Sequence, residues 1–599
     1  SASLVGSEMC IRDRVISYME NRNIGSWKNN LCFMADDGSN TDGFMTEHME
    51  FADQLAGYVE SEHPEFLVNK LYYDAYKKDM TAGTYPDVRS GLQKLLKDGL
   101  LLFNYTGHGG TTALSDEKVL TQTDINQFTY THLPVWVTAT CDFTRFDDLN
   151  TSAGEDVFLN KSSGGIALFT TVRVAYSRPN FPINDNVIRN LFERNNGRRR
   201  TLGEVMQATK NTLSSVYKLG FCLIGDPAVK IAYPEFGMKV TTVNGQSVDG
   251  NSISFKALEK ITVEGEVLDA SGQLVTDFTG IVNPTVKDSK VTVTCLKNSN
   301  KDDSPAFTFT DYPNTIFIGN DSVRNGKFSF TFTVPKDISY SNLQGKMNLY
   351  AVDTESGNEA QGNFDNFIVG GTSDTAETDT IGPEIRALYL NDTTFVDGGQ
   401  VNTTPYFVAE LWDKSGVNIT GSSVGHDMML VIDESTVLSY NLNSYYELLP
   451  GEDGTGIVKF PIPALEPGKH TAEFWVWDIL NNSTVRTFTF EVVEGLKPFL
   501  FDVIATPGIA REQVTFHLMH NRPESRMRVG IMVYDLAGRQ LWKHEESGTS
   551  GLFENYTVSW DLTSGGARMR PGVYIYRAAI STDNSKDATK ARKFIILGE

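Results

Sequence analysis

Asn104-Tyr105-Thr106-Gly107-His108-Gly109-Gly110 and Thr138-Ala139-Thr140-Cys141-Asp142 decide how this 599-residue chain is read. Each follows a short apolar run, Leu100 to Phe103 and Pro134 to Val137, that has the look of a buried strand. In an open parallel sheet, chemistry collects beyond the carboxyl ends of the strands. Two adjacent strands would then deliver an imidazole and a thiol to one rim. A cysteine nucleophile needs that pair: a base for the thiol proton, and backbone N–H groups near the oxygen that becomes negative. His108 is the candidate general base, and Cys141 the candidate nucleophile, with a higher thiolate fraction expected at neutral pH than at Cys222 or Cys295. The amides of Gly109 and Cys141 are the candidate oxyanion donors. Gly107, Gly109 and Gly110 allow close backbone approach to a ligand.

Residues 15–233 around this pair alternate strand and helix signals. Phe51, Leu55 and Val59 share a helix face, and Pro86 to Asp98 is a second helix stopped by Gly99. Ser152 with Glu155, and Thr201 with Glu204, have the capping-box spacing, and Ile166 to Thr171 is a further strand. The pattern predicts an α/β layer with a largely parallel sheet. Asp36 and Asp37 end an earlier strand, Leu31 to Ala35, and Glu47 and His48 follow. Any of these four could orient His108, although Asp36-Asp37-Gly38 also reads as a simple turn. Asp147, Asp148, Glu155 and Asp156 could hold Ca²⁺, but read better as a solvated loop and a helix cap. No metal and no cofactor is expected.

Near Pro234 helical periods give way to alternation. Phe328, Phe330 and Phe332 alternate with Ser and Thr, and Phe474-Trp475-Val476-Trp477 supplies two faces of one strand. Thr372 to Thr380 is a linker by composition. The division that follows is an α/β domain at 15–233 and three all-β sandwich domains of immunoglobulin type at 234–371, 372–497 and 498–599. His426, in Gly425-His426-Asp427, reads as structural. His517, His520 and His544 are expected to be isolated, without carboxylate partners.

The formal charge of −22 excludes nucleic acid as a partner, since phosphate binding needs a basic footprint. The five cysteines, at 10, 32, 141, 222 and 295, show no paired spacing, and Cys222 and Cys295 read as buried small hydrophobes. No run of 18 apolar residues is present and no signal peptide is visible. Ser7 to Arg14 has the look of a translated sequencing adapter, so residues 1–14 are expected to be foreign to the gene.

The His-Gly and Ala-Thr-Cys motifs, with Leu31 to Asp37 upstream and Gly225-Asp226-Pro227 downstream, resemble the gingipain family of cysteine peptidases, in the caspase-like clan. Val529 to Arg539 and Gly572 to Arg577 resemble the C-terminal signal domain of type IX secretion cargo in Bacteroidota. Thr506-Pro507-Gly508 departs from that domain's usual Pro-Asn-Pro. Together they resemble the sortase branch of the family, in a C-terminal fragment. The resemblance implies a peptidase or transpeptidase that cleaves C-terminal signal domains from secreted cargo through a Cys141 thioester. It passes the cargo to an amine on anionic lipopolysaccharide or to water. It also implies outer-membrane secretion components as partners and a place on the cell surface. A secreted gingipain-like protease and a non-enzymatic adhesin of sandwich modules are the alternatives.

Overall fold

The computed structural model describes residues 2–37, 46–161, 163–298, 305–373, 379–421, 425–449, 454–582 and 585–597, with side chains from Ile11 onward. Gly38 and most of the expected linker, 374–378, lie outside the described residues, as do the side chains of the first four adapter-like residues. The chain divides into two compact units: Ser1–Val334 with Ile338–Asp374, and Pro335–Asp337 with Thr375–Glu599.

The first unit begins with a six-stranded sheet. Its strands are β1 (Asn30–Ala35), β2 (Leu67–Tyr72), β3 (Leu102–Thr106), β4 (Val135–Ala139), β5 (Ala167–Thr171) and β6 (Phe221–Ile224). The spatial order is β6-β5-β4-β3-β1-β2, parallel throughout except where β6 runs against β5. Both faces are covered, as an all-parallel core requires. The helices α2 (Glu47–Glu62), α6 (Ser177–Phe192) and α7 (Leu202–Thr212) cover one, with Leu55, Val59, Val187 and Val205 against Phe33, Val137 and Phe169. Helices α3 (Pro86–Asp98), α4 (Gln122–Gln127) and α5 (Ala153–Leu159) cover the other, with Leu92, Ile125 and Val157 against Met34, Phe103 and Trp136. α1 (Ala2–Met19) precedes the sheet.

The strands run further than the apolar runs suggest. β3 continues through Asn104 to Thr106 and β4 through Thr138 to Ala139, all buried. Asn104 is 0% exposed yet satisfied, donating to Asn184 of α6 at 2.7 Å. Thr138 donates to Thr170 of the neighbouring strand at 2.7 Å. Polar side chains can extend a buried strand when a neighbouring element supplies the partner. The capping boxes at Ser152/Glu155 and Thr201/Glu204 are formed, and a third stands at Thr121/Asp124.

The rest of the first unit is β. A nine-stranded sheet includes Phe236–Val243, Lys260–Leu268, Lys327–Thr333 and Lys346–Asp353, and a three-stranded sheet includes Ile253–Ala257 and Phe367–Thr372. Phe328, Phe330 and Phe332 turn inward at every second residue into the shared core. This β part is fixed to the α/β part by buried polar contacts. Lys28 pairs with Glu359, the side chains 0% and 4% exposed. Asn29 donates to Asn348 at 2.8 Å, and Lys346 to the Phe66 carbonyl at 2.7 Å. A hairpin of Val291–Thr294 and Thr308–Asp311 reaches the carboxyl end of β2, where the Asp74 carboxylate accepts the amides of Lys297 and Asn298 at 2.8 and 2.7 Å.

The second unit holds two successive pairs of sheets. In the first pair, Tyr406–Trp412 and Thr455–Pro461 belong to a four-stranded sheet, and Gly468–Trp477 and Ser483–Val492 to a five-stranded one. Phe407, Leu430, Phe474 and Phe490 fill the core between them. In the second pair, Leu500–Thr506 and Val514–His520 face Met527–Tyr534 and Gly572–Ser581 across Phe516, Trp560, Tyr576 and Phe594. Arg522 is buried between the pairs, donating to the carbonyls of Leu496 and Asn521 at 3.0 Å each. The three residues Pro335–Asp337 complete this unit from earlier in the chain. The Lys336 amide donates to the Ile479 carbonyl at 2.8 Å, and Asp337 accepts from Asn481 at 3.0 Å. Among the described residues no helix is long and apolar enough to cross a membrane.

Candidate active site

The register of the central sheet fixes where the two motifs stand. Ala35 of β1 pairs with Thr106 of β3, and Thr106 with Ala139 of β4. His108 and Cys141 each lie two residues beyond that paired level, and Asp36 one residue beyond it. All three therefore emerge at the carboxyl rim of adjacent parallel strands. The Gly107 amide donates to the Ala139 carbonyl at 3.3 Å, tying one loop to the next strand. A Cβ on Gly109 would stand 2.4 Å from the Thr140 hydroxyl, so the His108 and Cys141 loops meet at a point only glycine fits. A Cβ on Gly107 would stand 2.5 Å from the Tyr105 hydroxyl and 2.7 Å from the Asp36 carboxylate.

Asp36, 1% exposed, organises the rim beneath His108. Its carboxylate accepts the His108 backbone amide at 2.6 Å and lies against the Nδ1 of His48. The Tyr105 hydroxyl donates to the His108 carbonyl at 2.7 Å and lies 3.4 Å from the Asp36 carboxylate. Burial would push the Asp36 carboxyl up; the His48 ring, with the charge and amide of His108, outweighs it and holds the group below the usual aspartate value. The His48 ring meets the His108 ring edge-on at 5.0 Å. Of the four residues that could orient His108, Asp36 accepts its backbone amide and His48 meets its ring. Asp37 turns the other way, accepting from Tyr85 at 2.6 Å and from Lys78 at 3.3 Å. Glu47 pairs with Arg178 of α6 at 3.2 Å, and its second oxygen is buried without a hydrogen-bond partner among the described residues.

The Cys141 sulfur lies 3.1 Å from the Ala175 carbonyl, to which the thiol donates, and 3.4 Å from the Ala175 amide. The next residue, Asp142, has φ of 50°, the left-handed conformation that turns the chain sharply after the sulfur. Burial pushes the Cys141 thiol above its ordinary value, with the Asp142 charge adding to the rise and the Ala175 amide opposing it. The proton sits toward Ala175, a backbone group that no side-chain pattern reveals. Burial drives Cys32 higher still and pushes Cys295 up to about 12. Cys222 is only half-buried, which corrects its reading as a core residue.

The remaining candidates disperse. Asp147 pairs with Arg173 at 3.0 Å, Asp148 with Arg145 at 3.6 Å, and Glu155 caps α5. Asp156 accepts from Gln122 at 2.7 Å. His426 lies 2.6 Å from Asp337 and against Trp477. His544 does have a carboxylate partner, Glu546 at 2.9 Å, contrary to expectation; the two are neighbours on one face of a strand. In the second unit Asp379, Asp413 and Asp478 bring three carboxylate oxygens within 4.8 Å of one another, and burial pushes Asp413 up to about 6.

Residues 9–232 match peptidase family C25. Among solved structures the chain is similar to dimeric latent PorU from Porphyromonas gingivalis, at 26% identity and a TM-score of 0.31, over 95% of this chain and 64% of that one. It is also similar to the Arg-specific cysteine proteinase gingipain R, at 19% identity and a TM-score of 0.30, over 60% of this chain and 72% of that one. The complex of the P. gingivalis RgpB pro- and mature domains matches at 19% identity with a TM-score of 0.31, over 60% and 72%. The chain thus spans less than two thirds of the PorU chain. No curated protein matches it. Residues 9–232, which place a histidine and a cysteine at one rim of a parallel sheet, are thus similar to peptidase family C25, the gingipain family.

Proposed function

We propose that the chain is a sortase-like transpeptidase of a type IX secretion system, acting on C-terminal signal domains of secreted cargo. The observation that supports it most is the equal register of His108 and Cys141 beyond the paired residues Thr106 and Ala139. In this reading the Cys141 proton passes to His108 and the sulfur attacks the scissile carbonyl. The amides of Gly109 and Cys141 hold the oxyanion. Each such donor is typically worth about 3 kcal/mol of barrier. The C–N bond breaks, His108 returns the proton to the leaving amine, and the cargo stays on Cys141 as a thioester. An amine of anionic lipopolysaccharide, or water, then loses a proton to His108 and takes the acyl group; the C–S bond breaks and His108 returns the proton to the leaving Cys141 sulfur. The thiol must first leave the Ala175 carbonyl, so substrate entry has to reorient Cys141.

The β regions serve as immunoglobulin-like spacers in this reading. The last of them, 498–599, docks the enzyme to outer-membrane secretion components on the cell surface. The test uses a purified cargo protein carrying its signal domain. Wild-type enzyme is expected to release the domain, and with an added amine to give an amide product identified by mass. Cys141→Ala and His108→Ala are expected to give neither. Hydrolysis with no amide product at saturating amine would leave a plain protease, and cleavage by Cys141→Ala would remove the mechanism.

A further inference from the structure

We propose that Asp36, His48 and His108 form a binding site for one divalent transition cation of the zinc type. One carboxylate oxygen of Asp36 and one ring nitrogen from each histidine lie within 4.8 Å of one another. Donors around a tetrahedral zinc, at about 2.0–2.2 Å from the ion, stand roughly 3.4 Å apart. Small side-chain rotations reach that spacing, with the touching Asp36 and His48 atoms moving apart as the ion enters between them. The three donors come from three elements: the end of β1, the first turn of α2 and the loop after β3. The scaffold therefore brings them together without any need for a flexible segment.

The outer contacts are those a metal carboxylate requires. Asp36 Oδ2 is anchored by the His108 amide at 2.6 Å, and Oδ1 is the oxygen turned toward the ion. Oδ1 now faces His48 Nδ1. A cation entering there takes the place of the hydrogen between them, so that proton leaves to solvent. Asp36 and His48 are buried while His108 is partly exposed, so the ion enters from the rim across the His108 ring. Two imidazoles and one carboxylate favour Zn²⁺, Co²⁺, Ni²⁺ or Cu²⁺ over Ca²⁺ and Mg²⁺, which take oxygen ligands. A metal-bound neutral imidazole carries its hydrogen on the other nitrogen, so an ion on either nitrogen of His108 leaves the ring unable to accept the Cys141 proton. That inhibitory consequence rests on the proposed peptidase mechanism; the binding itself does not.

The test is a titration of Zn²⁺ against a chromogenic chelator, using the full chain as wild type and as Cys141→Ala. Both are expected to bind one Zn²⁺ with similar affinity, releasing protons, with Ca²⁺ failing to compete. His48→Gln and, on the accessible loop, His108→Gln are each expected to weaken binding by more than about 10-fold. Circular dichroism identifies any variant that has not folded, and His108→Gln keeps the test decisive if the buried His48→Gln fails. Loss of binding in Cys141→Ala would move the site to the thiol, and unchanged affinity in folded histidine variants would overturn it. Because Cys141→Ala has no nucleophile, this result is independent of whether the transpeptidase reading stands.

Discussion

Gly109 carries much of the rim's geometry, because the Thr140 hydroxyl fills the space its side chain would need. Gly109→Ala must push the His108 and Cys141 loops apart. A misplacement near 1 Å costs about 100-fold in rate. We expect that loss in peptide hydrolysis with the fold retained, and partial recovery in Gly109→Ala/Thr140→Ala; no recovery would place the fault elsewhere. The thiol gives a second prediction. With burial holding Cys141 above the ordinary thiol value, its alkylation by iodoacetamide in the free protein should still be rising with pH where an unperturbed cysteine has levelled off. A plateau at neutral pH would show a thiolate–imidazolium pair instead. The motifs made His108 and Cys141 legible in the sequence, since both follow apolar strands. Three things were not legible: the Ala175 carbonyl, a backbone partner; the choice of Asp36 over Asp37, two identical side chains that alternate across the strand end; and the Tyr105 contact beneath the loop.

At the scale of elements, helices and strands were legible wherever the apolar period was clean. α3 spans Pro86–Asp98 as its proline and glycine mark it. Strand ends were less so: Asn104 and Thr138 read as loop until Asn184 and Thr170 are seen to satisfy them. The buried pair of Lys28 and Glu359 had no local signal at all, since its members are over three hundred residues apart. Lys28→Met leaves Glu359 buried without its cation, held only by Tyr350, Asn21 and the Gly25 amide, which should cost up to about 3 kcal/mol in urea denaturation. His520 predicts a pH effect. Its Nδ1 accepts the Arg522 amide at 3.1 Å and its ring contacts Ser550 at 2.7 Å; burial, with Arg522 nearby, lowers it to about 4. The unfolded chain takes up this proton near pH 6.5 and the folded one only near 4. The strands around His520 should therefore lose stability as pH falls through that window, by on the order of 2 kcal/mol. His520→Gln should flatten the slope seen by thermal unfolding between these pH values.

At the scale of the whole molecule, an α/β part followed by β parts was legible from the change of periodicity near Pro234. The interruption of the first unit by Pro335–Asp337 was not, because nothing in three residues announces which core they join. Residues 379–599 produced alone would lack Asp337, leaving His426 and Asn481 without the carboxylate they share. We expect that piece to melt lower than the same residues within the full chain, and a peptide spanning residues 330–340 to raise its melting temperature; no effect of the peptide would show the strap to be dispensable. The same feature sets an order in time. During synthesis the strap emerges before any strand of the second unit exists, and residues 338–373, which finish the first unit, follow it. The later unit is thus born onto a template that the earlier one already carries. A gene rearranged to place 379–599 first would ask those strands to fold before their template had been made.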